Sequence, residues 1–145
     1  MKTQIISAIL VLALASMACG ISVDLPQQVK AGPEVKVSIA VTDPQSDETR
    51  LNLEFGAGDL TLSPGAKNLV DGTVVYNVED LKPKVIEDDA NITITQGDFK
   101  TLPPFDGMKN EWDLQLGDSP MDLVIEAGAY NGDFELGGLA LKNLT

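Results

Sequence analysis

Apolar and polar residues alternate along most of this chain. Val35, Val37, Ile39 and Val41 are separated by Lys36, Ser38 and Ala40, the period-two pattern of a half-buried strand. Leu51, Leu53 and Phe55 repeat the pattern, and Leu60 and Leu62 take it up again. Further strands are predicted over residues 73–78 (TVVYNV), 91–99 (NITITQGDF), 111–116 (EWDLQL) and 121–127 (MDLVIEA). Polar turns separate them, one over residues 42–49 around Pro44 and one at Ser63-Pro64-Gly65. Residues 139–144 could close one helical turn, but a strand fits their repeat partner better. No long segment beyond residue 18 keeps a helical period with caps, so the expected fold class is all-β.

Part of the pattern occurs twice. Residues 51–62 read LNLEFGAGDLTL and residues 123–136 read LVIEAGAYNGDFEL. Glu54, Gly56 and Ala57 align with Glu126, Gly128 and Ala129. A two-residue insertion, Tyr130-Asn131, then brings Gly58, Asp59 and Leu62 onto Gly132, Asp133 and Leu136. Asn68 and Leu69 match Asn143 and Leu144, and QGDFKTL at 96–102 is a partial third copy. Short strands returning with a recurrent corner argue for stacked rungs, each burying its neighbour's apolar face. A β-solenoid or β-helix-like stack is therefore expected, with a two-sheet β-sandwich as the alternative. Gly-Asp reads as a turn, glycine supplying the backbone angle and aspartate accepting nearby N–H groups. Trp112, alternating with Leu114 and Leu116, is expected in the core.

The first residues differ from all the rest. Met1-Lys2-Thr3-Gln4 carries one positive charge, and the uncharged apolar run over 5–18 ends in small residues before Cys19. This is the layout of a secretory signal peptide, and the run is short of the roughly 20 residues that span a bilayer. Ser16-Met17-Ala18-Cys19 resembles the lipobox of bacterial lipoproteins, with Ser16 where leucine is usual. That resemblance implies cleavage between Ala18 and Cys19 and lipidation of Cys19, which would hold the chain to a membrane surface without spanning it. The expected organisation is a signal peptide at 1–18, a lipid-anchored tether at 19–33 with Pro26 and Pro33, and an all-β domain at 34–145. The expected localisation is exported, anchored on the outer side of the cytoplasmic membrane or elsewhere in the cell envelope.

Composition narrows the chemistry. Loss of residues 1–18 removes Lys2, one of ten basic residues, and leaves nine basic against twenty-two acidic side chains, a net charge of −13. Such a surface repels nucleic acid and anionic lipid headgroups. The chain has no histidine, which removes the commonest general base, the Ser-His-Asp and Cys-His arrangements and most catalytic zinc sites. Its single cysteine allows no intrachain disulfide. No cofactor is expected.

Candidate sites are few. Asp59, Asp98, Asp118 and Asp133 each follow glycine, and IEDDAN at 86–91 adds Glu87, Asp88 and Asp89. Calcium needs six to eight converging oxygens, and these pairs hold no tandem frame or EF-hand loop, so turns are the better reading and no metal site is assigned. Glu54 and Glu126 occupy equivalent repeat positions and are expected on one strand face as a solvent-facing carboxylate ladder. Catalysis by this pair would require them to face each other across a cleft. Tyr130 and Asn131, in the insertion, are expected at a loop tip and are the candidate partner contact. Asn91-Ile92-Thr93 and Asn143-Leu144-Thr145 match the glycosylation acceptor pattern but read as strand residues.

The strings LEFGAGDLTLSPGAKNLVDGTVVYNVEDLKP, ITITQGDFK, KNEWDLQL and DLVIEAGAYNGDFELGGLALKNLT, in that order, are similar to bacterial toast-rack domains. These all-β domains of unknown function are related to adhesin-like domains and to the C-terminal domains of LiaF-type envelope-stress proteins. The resemblance covers roughly residues 35–145. It implies a β-helix-like stack displayed at the envelope without an established enzymatic activity, and it supplies no catalytic residues. In that family the repeat array commonly continues past the second copy, whereas here Thr145 comes directly after it. The chain is then either a minimal member or a truncated one, and truncation would expose an unpaired strand edge. The function expected is a non-catalytic envelope lipoprotein displaying an acidic β-stack, adhesin-like or an envelope-stress accessory, with an unidentified envelope or surface partner. The alternatives are a carboxylate-based glycan hydrolase and a cation-binding structural surface protein.

Overall fold

Alternation becomes eight strands in a computed structural model that describes residues 30–97 and 106–145. They are β1 (Val35–Val41), β2 (Arg50–Pro64), β3 (Val70–Tyr76), β4 (Lys84–Asp88), β5 (Asn91–Thr95), β6 (Asn110–Leu116), β7 (Met121–Phe134) and β8 (Leu141–Leu144), with one 3-10 turn at Glu79–Leu81. The expected signal peptide, Ala18, Cys19 and the tether up to residue 29 lie outside the described residues, as do residues 98–102 of the partial third copy.

One sheet contains all eight strands, in the order β1-β3-β6-β2-β5-β4, with β7 against β2 and β8 against β7. Its organiser is β2. The first half of one edge, Arg50–Glu54, pairs with β5, and the second half, Asp59–Pro64, pairs with β6. The other edge pairs with β7 from Arg50↔Asp122 to Leu62↔Phe134, at a constant offset of 72 residues. All three pairings are parallel, and so is β7 with β8. Like residues therefore stack on like: Leu51 on Leu123, Leu53 on Ile125, Ala57 on Ala129. This is the stacked arrangement that the repeat predicts, and a sandwich of antiparallel sheets is not what forms.

The repeated strand bends. Met121 pairs with Leu141, and Phe134 stands only seven residues before Leu141. Straight, β7 would carry Phe134 roughly 43 Å from Met121, whereas a seven-residue link reaches at most about 25 Å. The strand must fold back, and β2, in register with it, must bend too. Burial locates the bend. Leu51, Leu53 and Phe55 point inward, then Leu60 and Leu62 do, so the inward set passes from odd to even positions across residues 56–59. Backbone parity changes likewise: the N–H groups of even-numbered Asp122 and odd-numbered Glu135 donate to the same side, at Thr49 O just before β2 (2.9 Å) and at Leu62 O within it (2.8 Å).

Two expectations are corrected by this geometry. Gly58-Asp59 and Gly132-Asp133 are not turns, because both strands run through them. Nor is Tyr130-Asn131 an insertion: Tyr130 pairs with Gly58 and Asn131 with Asp59, without a break in register. Matching the two Gly-Asp pairs by letter obscured a ladder whose offset is set by the apolar residues before the bend. The corner exists, but it is a bend within a continuous strand.

Packing matches the pattern closely. Trp112 is buried, with its ring edge-on to Phe55 at 5.2 Å and 74°, and Leu114 and Leu116 bury the same face of β6. Burying each such side chain stabilises the fold by roughly 1.5–3 kcal/mol. β3 begins earlier than its β-branched run because Val70, Asp71 and Gly72 pair on both sides, with β1 and with β6. β5 ends at Thr95 rather than continuing to residue 99. β4 was not anticipated, since its five residues are all exposed and leave no alternating trace.

Candidate functional site

The bend is held from inside by side chains whose polarity departs from the core around them. Gln96 continues the inward set of Ile92 and Ile94, and Asn110 that of Trp112 and Leu114; both are buried. Asn110 Nδ2 donates to Ala57 O at 2.6 Å and to Gln96 Oε1 at 2.8 Å. Trp112 Nε1 donates to Asn110 Oδ1 at 3.0 Å. Gln96 Oε1 also accepts from the N–H of Gly56 at 3.1 Å. The bend thus takes backbone groups of β2 out of the ladder and gives them to two amides. No buried side-chain polar atom among the described residues lacks a partner. Gly58 completes the fit, since its φ is +132° and a Cβ there would lie 2.1 Å from Asn110 O.

Outside the bend lie two open depressions. One, of about 410 Å³, is bordered by Glu54, Gly56, Thr95, Gln96 and Glu126. Glu54 and Glu126 are direct register partners on adjacent parallel strands and both are exposed, so the expected carboxylate ladder exists. Their strands lie about 4.8 Å apart, which sets the two side chains side by side on one surface. They do not face each other across a cleft, the arrangement that glycoside hydrolysis needs. The second depression, of about 480 Å³, is lined by Ala57, Gly58, Asp59, Met108, Ala129, Tyr130 and Asn131.

Tyr130 and Asn131 lie in β7, not at a loop tip. The Tyr130 ring stands edge-on to Phe55 at 6.3 Å and 82°, and stacks on Phe134 at 6.2 Å and 19°. Asn131 Nδ2 donates to Asp59 Oδ1 at 2.9 Å, tying β7 to β2 beyond the bend. Phe55, Tyr130 and Phe134 form a ladder that starts in the core and ends in solvent. Nothing in the alternation before the bend foretold this, because the change of parity turns even residues of β7 inward.

The acidic candidates stay apart. No three Asp, Glu, His or Cys residues gather as a metal site among the described residues. Asp133 pairs with Thr61, Asp118 lies between β6 and β7, and Asp98 is outside the described residues. The groups with shifted titration lie elsewhere. Asp71 is held below the usual carboxylate range, first by the side-chain amide of Asn68 and then by the Asn68 and Lys67 N–H groups. Lys109 is raised by Glu34 and then Glu111, at 3.3 and 3.4 Å.

A family model described as the N-terminal domain of toast_rack, DUF2154, matches residues 27–145. No curated protein matches the chain. A solved structure of a candidate cell adhesion protein from Clostridium sporogenes is 24% identical, with a TM-score of 0.71. The similarity covers 78% of this chain and 56% of that one, so the chain spans little more than half of its structural relative. A candidate adhesin from Bacteroides fragilis is 15% identical, with a TM-score of 0.45, covering 81% of this chain and 59% of that one.

Proposed function

The chain belongs to the toast-rack family, and on that premise we propose that it is a non-catalytic interaction domain displayed at the bacterial cell envelope. The observation that carries this reading is the aromatic pair Tyr130 and Phe134 on β7: Phe134 is the register partner of buried Leu62 and stacks on Tyr130, yet both rings remain exposed. Neighbouring exposed aromatic rings on one strand are suited to contact with a partner. The adhesion role suggested for the Clostridium sporogenes protein supports an adhesin-like function. An envelope-stress accessory role is the narrower form of the same reading. Lipid on Cys19 supplies the membrane attachment in this proposal, with residues 19–33 as the tether. The net negative charge disfavours nucleic acid as a partner. Hydrolysis through Glu54 and Glu126 is disfavoured by their side-by-side placement.

The test is made in cells. Mass spectrometry of the mature N-terminus should find a lipid on Cys19, and Cys19→Ala should release the protein from the membrane fraction. A photo-crosslinking residue at position 130 should capture a discrete envelope or surface partner, while the same residue at position 36 on β1 should not. Capture at neither position, with the protein correctly exported, would sink the interaction reading.

A further inference from the structure

The amide network at the bend leaves one donor over. An indole N–H can only donate, so Asn110 must turn Oδ1 to Trp112 Nε1 and Nδ2 to Ala57 O and Gln96. Gln96 must then present Oε1, which Asn110 Nδ2 and the N–H of Gly56 share. Its Nε2 meets no acceptor among the described residues, although Gln96 is only 8% exposed. The outlet is at Gly56, where a Cβ would stand 2.8 Å from Nε2 and glycine leaves that space open. Gln96 and Gly56 line the depression of about 410 Å³, with Glu54 and Glu126 beside them and no Lys or Arg. Gly56 is two residues beyond Glu54, roughly 7 Å along the strand. An unanswered amide donor at nine-tenths burial and two exposed carboxylates therefore open on one space.

Beyond the interaction reading above, and without resting on the aromatic pair, we infer that this depression captures the free amino terminus of a polypeptide. The α-ammonium sits at Glu54 and Glu126, and the carbonyl of the same residue, three bonds away, accepts from Gln96 Nε2. The combination of one amide donor with two carboxylates selects this chemistry. A metal ion would leave the amide N–H facing a cation, and a bare ammonium would leave it without an acceptor. A free amino acid would bring a third carboxylate to a space lined by no cation. An amide carbonyl is a neutral acceptor, so a peptide terminus supplies both groups without adding negative charge.

The probe is trialanine amide, titrated into the full chain beside its N-acetylated form, glucosamine and calcium chloride, with the side-chain amide signal of Gln96 followed by NMR. Trialanine amide should bind, more weakly as salt is raised, and shift the Gln96 signal. Acetylation should weaken binding by about tenfold, as the loss of two exposed ion pairs predicts. Glu54→Gln combined with Glu126→Gln should weaken it by a similar factor, and both side chains are exposed, so the fold is left intact. Gly56→Ala fills the space over Nε2 and should abolish the Gln96 response while both carboxylates remain. Equal binding of the acetylated peptide, or binding without a shift of the Gln96 signal, overturns amino-terminal capture. Glucosamine binding as tightly as the peptide overturns the polypeptide assignment in favour of an amino sugar. A calcium response at Gln96 as large as that of the peptide overturns it in favour of plain cation attraction. Failure of trialanine amide to bind rejects the inference and leaves the interaction reading, tested separately at position 130, standing.

Discussion

Asn110 Nδ2 donates to Gln96 Oε1 at 2.8 Å and joins the start of β6 to the end of β5, two strands that do not pair with each other. Both pair with β2, one on each side of its bend, so this contact spans the bend from inside. Replacing Asn110 by Leu leaves Ala57 O and Trp112 Nε1 without their partner in a buried place. The expected loss is about 3 kcal/mol, since each orphaned polar group costs roughly 1–3 kcal/mol. Urea unfolding monitored by fluorescence measures it directly, because Trp112 is the only tryptophan in the chain. Gln96→Leu should cost a similar amount, and the double variant less than the two together, as expected for groups that act as one network.

Gly58→Ala tests the bend by shape alone. The added Cβ meets Asn110 O at 2.1 Å, and the backbone there has φ +132°. Neither conflict can be relieved by a side-chain rotation, so a loss of about 3 kcal/mol or more is expected. Gly137→Ala, whose Cβ meets no atom, is the control and should change the urea midpoint little. Equal effects of the two would mean that the bend is not held by this contact.

Acid should release one local contribution. Asn68 and Lys67 donate to Asp71 and hold its carboxyl below the ordinary range, so the folded state favours the ionised form. The unfolded state then binds this proton more readily, and stability rises with pH across the window. The contribution is fully present above the unfolded carboxylate value and is lost as pH falls through the lowered folded one. Thermal unfolding of the parent and of Asp71→Asn, measured from neutral to acid pH, should differ at neutral pH and converge at low pH.

Much of the fold was legible in the chain because burial writes itself as alternation. The inward residues of β1, β2 before the bend, β6 and the start of β7 are those that the pattern singled out. Equivalence of Glu54 with Glu126 was likewise visible, and the strands pair there as the repeat implied. The path of β2 and β7 beyond the bend was not visible. A strand that changes inward parity looks like a turn and then a new strand, so Gly58-Asp59 passed for a corner and Tyr130 for a loop residue. Asn110 and Gln96 were hidden for a different reason: polar residues read as outward, although parity with Trp112 and with Ile94 placed both inside.

A final prediction concerns the far edge of the sheet. Among the described residues β4 pairs only with β5, and its register sets Val85 opposite Ile94 and Glu87 opposite Ile92, so Val85 and Glu87 both lie on the side that faces the core. Val85 remains 38% exposed there, and Ile86, on the other face, 54%. A charge on the inner face of an edge strand discourages a second chain from adding to it. Glu87→Val removes that charge and creates a run of three apolar residues on an open edge, with strand propensity raised as well. The folded monomer should lose little stability, because β4 has no buried residue to disturb. Association should increase instead: light scattering should rise with protein concentration for Glu87→Val and not for Glu87→Lys, which keeps a charge at the position. If both variants remain monomeric, the protection of this edge must come from its short length and not from Glu87.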